Sequence, residues 1–227
     1  MKALVLFSGG LDSTTALAMA IDKYGKDNVV ALSISYGQKH IKEIDASNKV
    51  AAYYGVEHIF LDLSKIFEFS DCSLLEKNHM DIPEGEYAKQ LEKTDTLSTY
   101  VPFRNGLFLS SAAAIALSKG CDIIYYGAHA DDAALNAYPD CSKEFTDAIN
   151  QAIYLGSGNK LKVVGPFVNM RKADIVKTGL MLNVPYNLTW SCYEGHDKAC
   201  GKCGTCLDRL KAFEANGVKD PIEYEED

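Results

Sequence analysis

The residues Ser8-Gly9-Gly10-Leu11-Asp12-Ser13-Thr14 stand directly between an apolar run, Lys2 to Phe7, and a stretch of helical spacing that begins near Thr15. Strand, glycine-paired turn and helix in that order leave little choice of fold. Paired glycines let backbone N–H groups converge on an anion with no Cβ in the way, and the following helix adds its positive end. The loop therefore predicts a phosphate cradle and, with it, a nucleotide. It is not a Walker A loop, which ends in Gly-Lys-Ser/Thr, because Leu11-Asp12-Ser13 occupies that place. A tight turn capped by Ser8, Ser13 and Thr14 would explain a lone Gly-Gly pair. It does not explain two hydroxyl residues and an acid at fixed positions around one.

Further strand-like runs occur at Val29 to Ser35, His58 to Leu63, Ile123 to Tyr126 and Lys162 to Val164, and helical spacing fills most of the gaps. Such alternation predicts an α/β fold with a parallel sheet covered on both faces. The spacing predicts helices over Thr15 to Tyr24, Ile41 to Tyr54 and Leu107 to Lys119, the first two stopped by Gly25 and Gly55. Residues 71–98 are polar and without strong period, and predict a lid or excursion with a short helix near Glu86 to Glu92.

Ligands of open parallel sheets sit beyond the carboxyl ends of the strands. Four polar clusters fall there: the Ser8 loop, Tyr36 to His40, Gly127 to Asp132, and Val101 to Asn105, which precedes the alanine-rich helix. His40 and His129 read equally as solvated loop histidines or as ligands.

With 227 residues and 47% hydrophobic content, the chain can bury a full core. A net charge of −8 opposes a broad nucleic-acid surface. The amino-terminal apolar run is too brief for a signal peptide or a membrane span, and the expectation is a soluble cytoplasmic protein. Of seven cysteines, four crowd into Cys192-x7-Cys200-x2-Cys203-x2-Cys206. Four thiolates fill a tetrahedral shell and leave no open position, which suits one structural Zn²⁺. An iron–sulfur cluster would use the same four ligands. A redox pair at Cys203 and Cys206 leaves Cys192 and Cys200 unexplained. A ribbon gripping nucleic acid would use Lys198, Lys202, Arg209 and Lys211, but Glu194, Asp197, Asp208 and Glu214 offset them.

The Ser8 loop resembles the PP-loop of the N-type ATP pyrophosphatases, a superfamily that transfers adenylate from ATP onto a substrate oxygen. A narrower resemblance runs from residue 2 to Tyr224. Phe7 to Leu17, Val101-Pro102-Phe103-Arg104-Asn105, Tyr138-Pro139-Asp140-Cys141 with Glu144-Phe145, and Thr189-Trp190-Ser191-Cys192-Tyr193-Glu194 with the other three cysteines and Arg209 are similar to the 7-cyano-7-deazaguanine synthase family. Ser142 departs from that family's usual arginine, and Ala137 from a frequent glycine, so segment 133–142 is where substrate contacts would differ. The resemblance implies a Rossmann-like adenine nucleotide alpha hydrolase fold over 1–185, with a four-cysteine zinc clip and terminal helix over 186–227. It implies ATP-dependent conversion of 7-carboxy-7-deazaguanine and ammonia to the nitrile in queuosine biosynthesis, in a homodimer with no direct nucleic-acid partner and no membrane partner. A PP-loop tRNA thiolase and a non-catalytic zinc module are the rival readings.

The resemblance also implies roles. Phe7 to Leu17 with Tyr36, Arg104 and Asn105 would bind ATP. Ser8, Asp12, Ser13, Arg104 and Lys172 would serve catalysis. His129, Tyr138, Asp140 and Cys141 would meet the deazaguanine. Asp12 reads either as a Mg²⁺ ligand or as an acid complementing the helix dipole. Arg104 reads as a bidentate anion clamp or a surface ion pair, Lys172 as a pyrophosphate neutraliser or a solvated helix end, and Cys141 as a pocket residue or a small buried hydrophobe.

Overall fold

The computed structural model describes residues 1–39, 42–92, 97–133, 137–194 and 197–225. His40, Gly195 and positions 134–136 of segment 133–142 therefore lie outside the described residues. Five strands, β1 (Ala3–Leu6), β2 (Val29–Ser35), β3 (Glu57–Asp62), β4 (Ile123–Tyr125) and β5 (Lys162–Val164), form one parallel sheet in the order β3-β2-β1-β4-β5. All five coincide with the strand-like runs to within a residue or two. β1 is central because both its faces are apolar. Ala3 and Val5 enter one core while Leu4 and Leu6 enter the other, as the two-residue period of a strand requires.

The helices are α1 (Leu11–Tyr24), α2 (Lys42–Tyr54), α3 (Ser64–Phe67), α4 (Tyr87–Leu91), α5 (Arg104–Ser118), α6 (Ala130–Ala133), α7 (Lys143–Gly156), α8 (Lys172–Met181) and α9 (Gly204–Ala215). Leu17 of α1, Val50 of α2, Ile175 of α8 and Phe213 of α9 cover the Val5 face. Gly106, Leu109, Ala112 and Ala116 repeat at helical spacing along α5, and the last three close the Leu4 face, with Ile149 and Ile153 of α7 packed beside them. Among the described residues no helix is long and apolar enough to cross a membrane.

Two expectations change. α1 begins at Leu11 rather than near Thr15, because Gly10 already serves as its N-cap and Thr14 N–H already donates to Gly10 O at 3.0 Å. The described residues of the 71–98 stretch do not form a loose excursion. Cys72, Leu74 and Leu75 bury themselves with Tyr36, Phe67 and Val101, and Gly85 N–H donates to Lys202 O at 2.9 Å. The short helix expected within it is α4.

The order of strands reverses between β1 and β4, and the loops leaving those two strands diverge around a crevice. Close approach there depends on glycine. A Cβ on Gly127, just after β4, would lie 3.1 Å from Ser13 N.

Candidate active site and metal centre

The crevice holds a cleft of about 230 Å³. One wall is the loop after β1. Gly9 turns it at φ +85°, and a Cβ there would come 2.4 Å from Ser47 N on α2, so both conformation and space demand glycine. The loop's hydroxyls bind the loop itself: Ser13 Oγ takes the Ser8 N–H at 3.2 Å, and Ser8 Oγ takes the Gly10 N–H at 3.2 Å. Leu11, Asp12 and Ser13 open α1 and line the cleft, and helix geometry gives their N–H groups no intrahelical acceptor. A positive helix end thus faces an open space, the arrangement that binds phosphate.

Opposite the loop stand charged groups from four further segments. Lys172, in the first turn of α8, is 7% exposed with its Nζ 3.4 Å from Asp12 Oδ2. Burial works against its charge, but Asp12, Asp132 and Asp208 outweigh burial and raise its pKa. Burial pushes the Asp208 carboxyl up, with the Lys172 charge opposing. The Lys172 backbone N–H donates to Asp131 Oδ2 at 2.8 Å, so one acid of α6 caps α8. Arg104, in the first turn of α5, lies over the Tyr36 ring at 5.1 Å. Burial again opposes its charge, and Tyr36, Tyr193 and Asp140 hold it firmly protonated. Neither cation is a solvated surface charge.

Of the expected site residues, Phe7, Ser8, Gly10, Leu11, Asp12, Ser13, Tyr36, Arg104, Asn105, Cys141 and Lys172 line the cleft. Gly9 shapes the loop from behind. Thr14, Thr15, Ala16 and Leu17 point into the protein and are fully buried, Thr15 through a 2.8 Å hydrogen bond to the Tyr186 hydroxyl. His129 is also fully buried beneath the cleft floor. Tyr138 and Asp140 stand behind the wall rather than in it. The Tyr138 hydroxyl meets Thr99 Oγ1 at 2.7 Å, and Asp140 Oδ2 accepts the Asn105 N–H of α5 at 2.8 Å. Cys141 takes a hydrogen bond from Asn105 Nδ2 at 3.2 Å, and burial pushes its thiol well up, with Asp132 and Asp140 adding to the shift. The cleft also contains Asp132, Trp190, Tyr193 and Thr205, and Asp208 acts on it. No local motif marks Asp208, because α9 reaches the cleft only through tertiary packing.

Cys192, Cys200, Cys203 and Cys206 are buried together, with all four sulfurs within 4.8 Å of one another. Cys200 and Cys203 backbone N–H groups donate to the sulfurs of Cys192 and Cys200, each at 3.3 Å. Four convergent thiols wrapped by backbone donors form a metal-binding set. Its attachment is unusual for a terminal clip. Trp190 N–H donates to Gly9 O at 3.0 Å, and a Cβ on Gly10 would lie 3.4 Å from Trp190 O. Arg209, fully buried, pairs with Asp220 at 2.6 Å and 3.0 Å and also donates to Thr189 Oγ1 and Tyr186 O. It ties α9, the Trp190 segment and residues 220–224 into one piece and, being buried, is not a nucleic-acid contact.

A family model described as queuosine biosynthesis protein QueC matches residues 2–217. A 7-cyano-7-deazaguanine synthase of Pseudoalteromonas atlantica is 45% identical over 224 residues, covering 99% of both chains. One from Archaeoglobus fulgidus is 45% identical over 228 residues, covering 100% of this chain and 92% of the relative. Among solved structures, an NMN synthetase from Francisella tularensis aligns with TM-score 0.52 at 16% identity, covering 96% of this chain and 78% of that one. The tRNA thiolase NcsA from Methanococcus maripaludis, solved with its 4Fe-4S cluster, aligns with TM-score 0.51 at 18% identity, covering 85% and 61%. These two likenesses concern the fold alone.

Proposed function

The chain belongs to the QueC family of queuosine-biosynthesis proteins, the 7-cyano-7-deazaguanine synthases, and from that membership we propose how its cleft works. It is an ATP-dependent enzyme that forms the nitrile on a deazaguanine. In our reading the acid is 7-carboxy-7-deazaguanine and the nitrogen comes from ammonia. A carboxylate oxygen leaves poorly. Transfer of adenylate onto it makes an anhydride that ammonia displaces, giving the amide, and a second activation, of the amide oxygen, permits dehydration to the nitrile.

The amides of Leu11, Asp12 and Ser13 would hold phosphate oxygens, with the Ser8 and Ser13 hydroxyls keeping the loop in shape. Lys172 and Arg104 would take up the charge that develops during transfer, Arg104 also suiting the substrate carboxylate. Asp140 would act at one remove, by fixing the first turn of α5 and hence Arg104. Mg²⁺ fits at Asp12, whose Oδ1 is buried without a partner, and would screen the phosphates from that carboxylate.

In the clip, Zn²⁺ would be structural. Zinc–thiolate bonds of about 2.3 Å place tetrahedral sulfurs about 3.8 Å apart. The Cys200 and Cys206 sulfurs are 4.0 Å apart, which favours one ion over a four-iron cluster, whose irons and sulfides hold the thiolates farther from one another. We read residues 1–185 as the nucleotide-binding body, residues 186–227 as the clip, and the assembly as a homodimer.

The whole-chain likeness to 7-cyano-7-deazaguanine synthases at 45% identity carries the choice against the thiolase, whose likeness is one of fold at 18% identity. The test is incubation with ATP, Mg²⁺, ammonium and 7-carboxy-7-deazaguanine, followed by mass analysis for the nitrile. No nitrile from folded, zinc-loaded protein refutes the reading.

A further inference from the structure

We propose that Asp132 receives the ammonia and takes a proton from it as the carbon–nitrogen bond forms, with His129 as the residue that positions Asp132. The inference rests on the amide-forming step proposed above. Asp132 lies in α6, at the exit of β4, and lines the cleft beside Ser8, Asp12 and Lys172. His129 lies below it, fully buried. His129 Nδ1 accepts the Asp132 backbone N–H at 3.4 Å, which leaves Nε2 as the ring's donor nitrogen. That Nε2 has no hydrogen-bond partner of good geometry. It faces two carboxylates, Asp132 Oδ2 at 3.3 Å and Asp12 Oδ2 at 3.8 Å.

The two acids are held differently. Asp12 has Lys172 at 3.4 Å and is the carboxylate with a cation of its own. Asp132 has the His129 imidazole instead, and 27% of its side chain remains exposed. Asp131 and Asp208 add negative charge around the same lysine. Among the described residues no lysine or arginine comes within 4.0 Å of the Asp132 carboxylate, and Lys172 acts on it only from farther away. A carboxylate so placed, reachable from a phosphate cradle, suits a small nitrogen donor that becomes positive as it attacks.

The step balances as follows. The ammonia lone pair forms the C–N bond at the activated carboxyl carbon. The activated oxygen leaves with the C–O bonding pair, and one N–H proton passes to an Asp132 oxygen and from there to water in the open cleft. His129, fully buried beneath with its Nε2 3.3 Å from Asp132 Oδ2, takes no part in the transfer and limits where that carboxylate can move.

Hydroxylamine separates this step from activation, because it is neutral and strongly nucleophilic near pH 7 and traps an activated carboxyl as the hydroxamate. Wild-type protein, Asp132→Asn and His129→Gln are assayed with ATP and the carboxy-deazaguanine, using either ammonium or hydroxylamine. For Asp132→Asn the amide-forming rate with ammonium should fall by about 100-fold or more. Its hydroxamate rate should fall by less than about 10-fold, which also reports a folded site. Asp132→Ser should give the same contrast with a smaller side chain. His129→Gln should raise the KM for ammonium and displace the pH profile of the ammonium reaction, with a smaller effect on kcat. Equal losses with both nucleophiles, or an ammonium rate kept within about 3-fold in Asp132→Asn, overturn the proposal. An unchanged ammonium KM and pH profile in His129→Gln refutes the positioning role. If wild-type protein makes no amide or nitrile with ammonium and no hydroxamate with hydroxylamine, the functional reading itself fails, which is a different result.

Discussion

Lys172 is a residue whose meaning is fixed by its surroundings. In sequence, Arg171-Lys172 at a helix start is an ordinary solvated pair, and nothing local says otherwise. In the fold the side chain is buried against Asp12, and carboxylates from three segments keep it charged. A cation held in place before the nucleotide arrives needs no rearrangement when charge develops. We expect Lys172→Ala to lower carboxylate-dependent ATP turnover by about 100- to 1,000-fold, the range for losing one such group, measured as phosphate or pyrophosphate release. The Ser8 loop was legible because its function depends on backbone, and glycine announces backbone. Asp132 was legible only as a member of the Gly127 to Asp132 cluster, with nothing to single it out, and Asp208 was illegible as a site residue because α9 meets the cleft only after folding.

At the scale of the element, α5 shows how a site residue is aimed. The helix opens after Phe103, which adopts the left-handed conformation at φ +56° and lays its ring over Gly106, where a Cβ would lie 2.4 Å from it. Phe103 supplies no side-chain cap, and Asp140 supplies one from a distant turn by accepting the Asn105 N–H. Arg104 therefore takes its direction from residue 140. Loss of a capping oxygen costs about 1 kcal/mol, so Asp140→Ala should lower thermal stability by a few degrees and weaken ATP turnover through Arg104. Asp140→Asn, which keeps an acceptor, should recover most of the stability; calorimetry beside the turnover assay checks both. The strands were legible because β1 to β5 carry compact apolar runs. α7 was not among the named helical stretches, although Ser142 caps it by accepting the Phe145 N–H at 3.1 Å. Ser142 drew notice only as a departure from a family pattern.

Over the whole molecule, the four-cysteine clip is part of the site's frame. Cys203 is the N-cap residue of α9, and the helix then carries Thr205 to the cleft wall, Asp208 toward Lys172, and Ala212 and Phe213 into the main core. Removing the metal should therefore lower the unfolding temperature and ATP turnover together. Titration with a chelator, followed by circular dichroism and turnover, checks this, and retained turnover in metal-free protein would separate clip from site. The cysteine spacing made the clip legible, while its grip on the loop after β1 depends on Trp190 and Gly9, residues 181 apart in the chain and silent about each other. That hydrogen bond also has a meaning in time. A ribosome adding about 5 to 20 residues per second delivers Gly9 roughly ten to forty seconds before Trp190. Throughout that interval the nascent loop has no Trp190 to hold it. The part of the nucleotide site that is synthesised first is thus among the last to be completed.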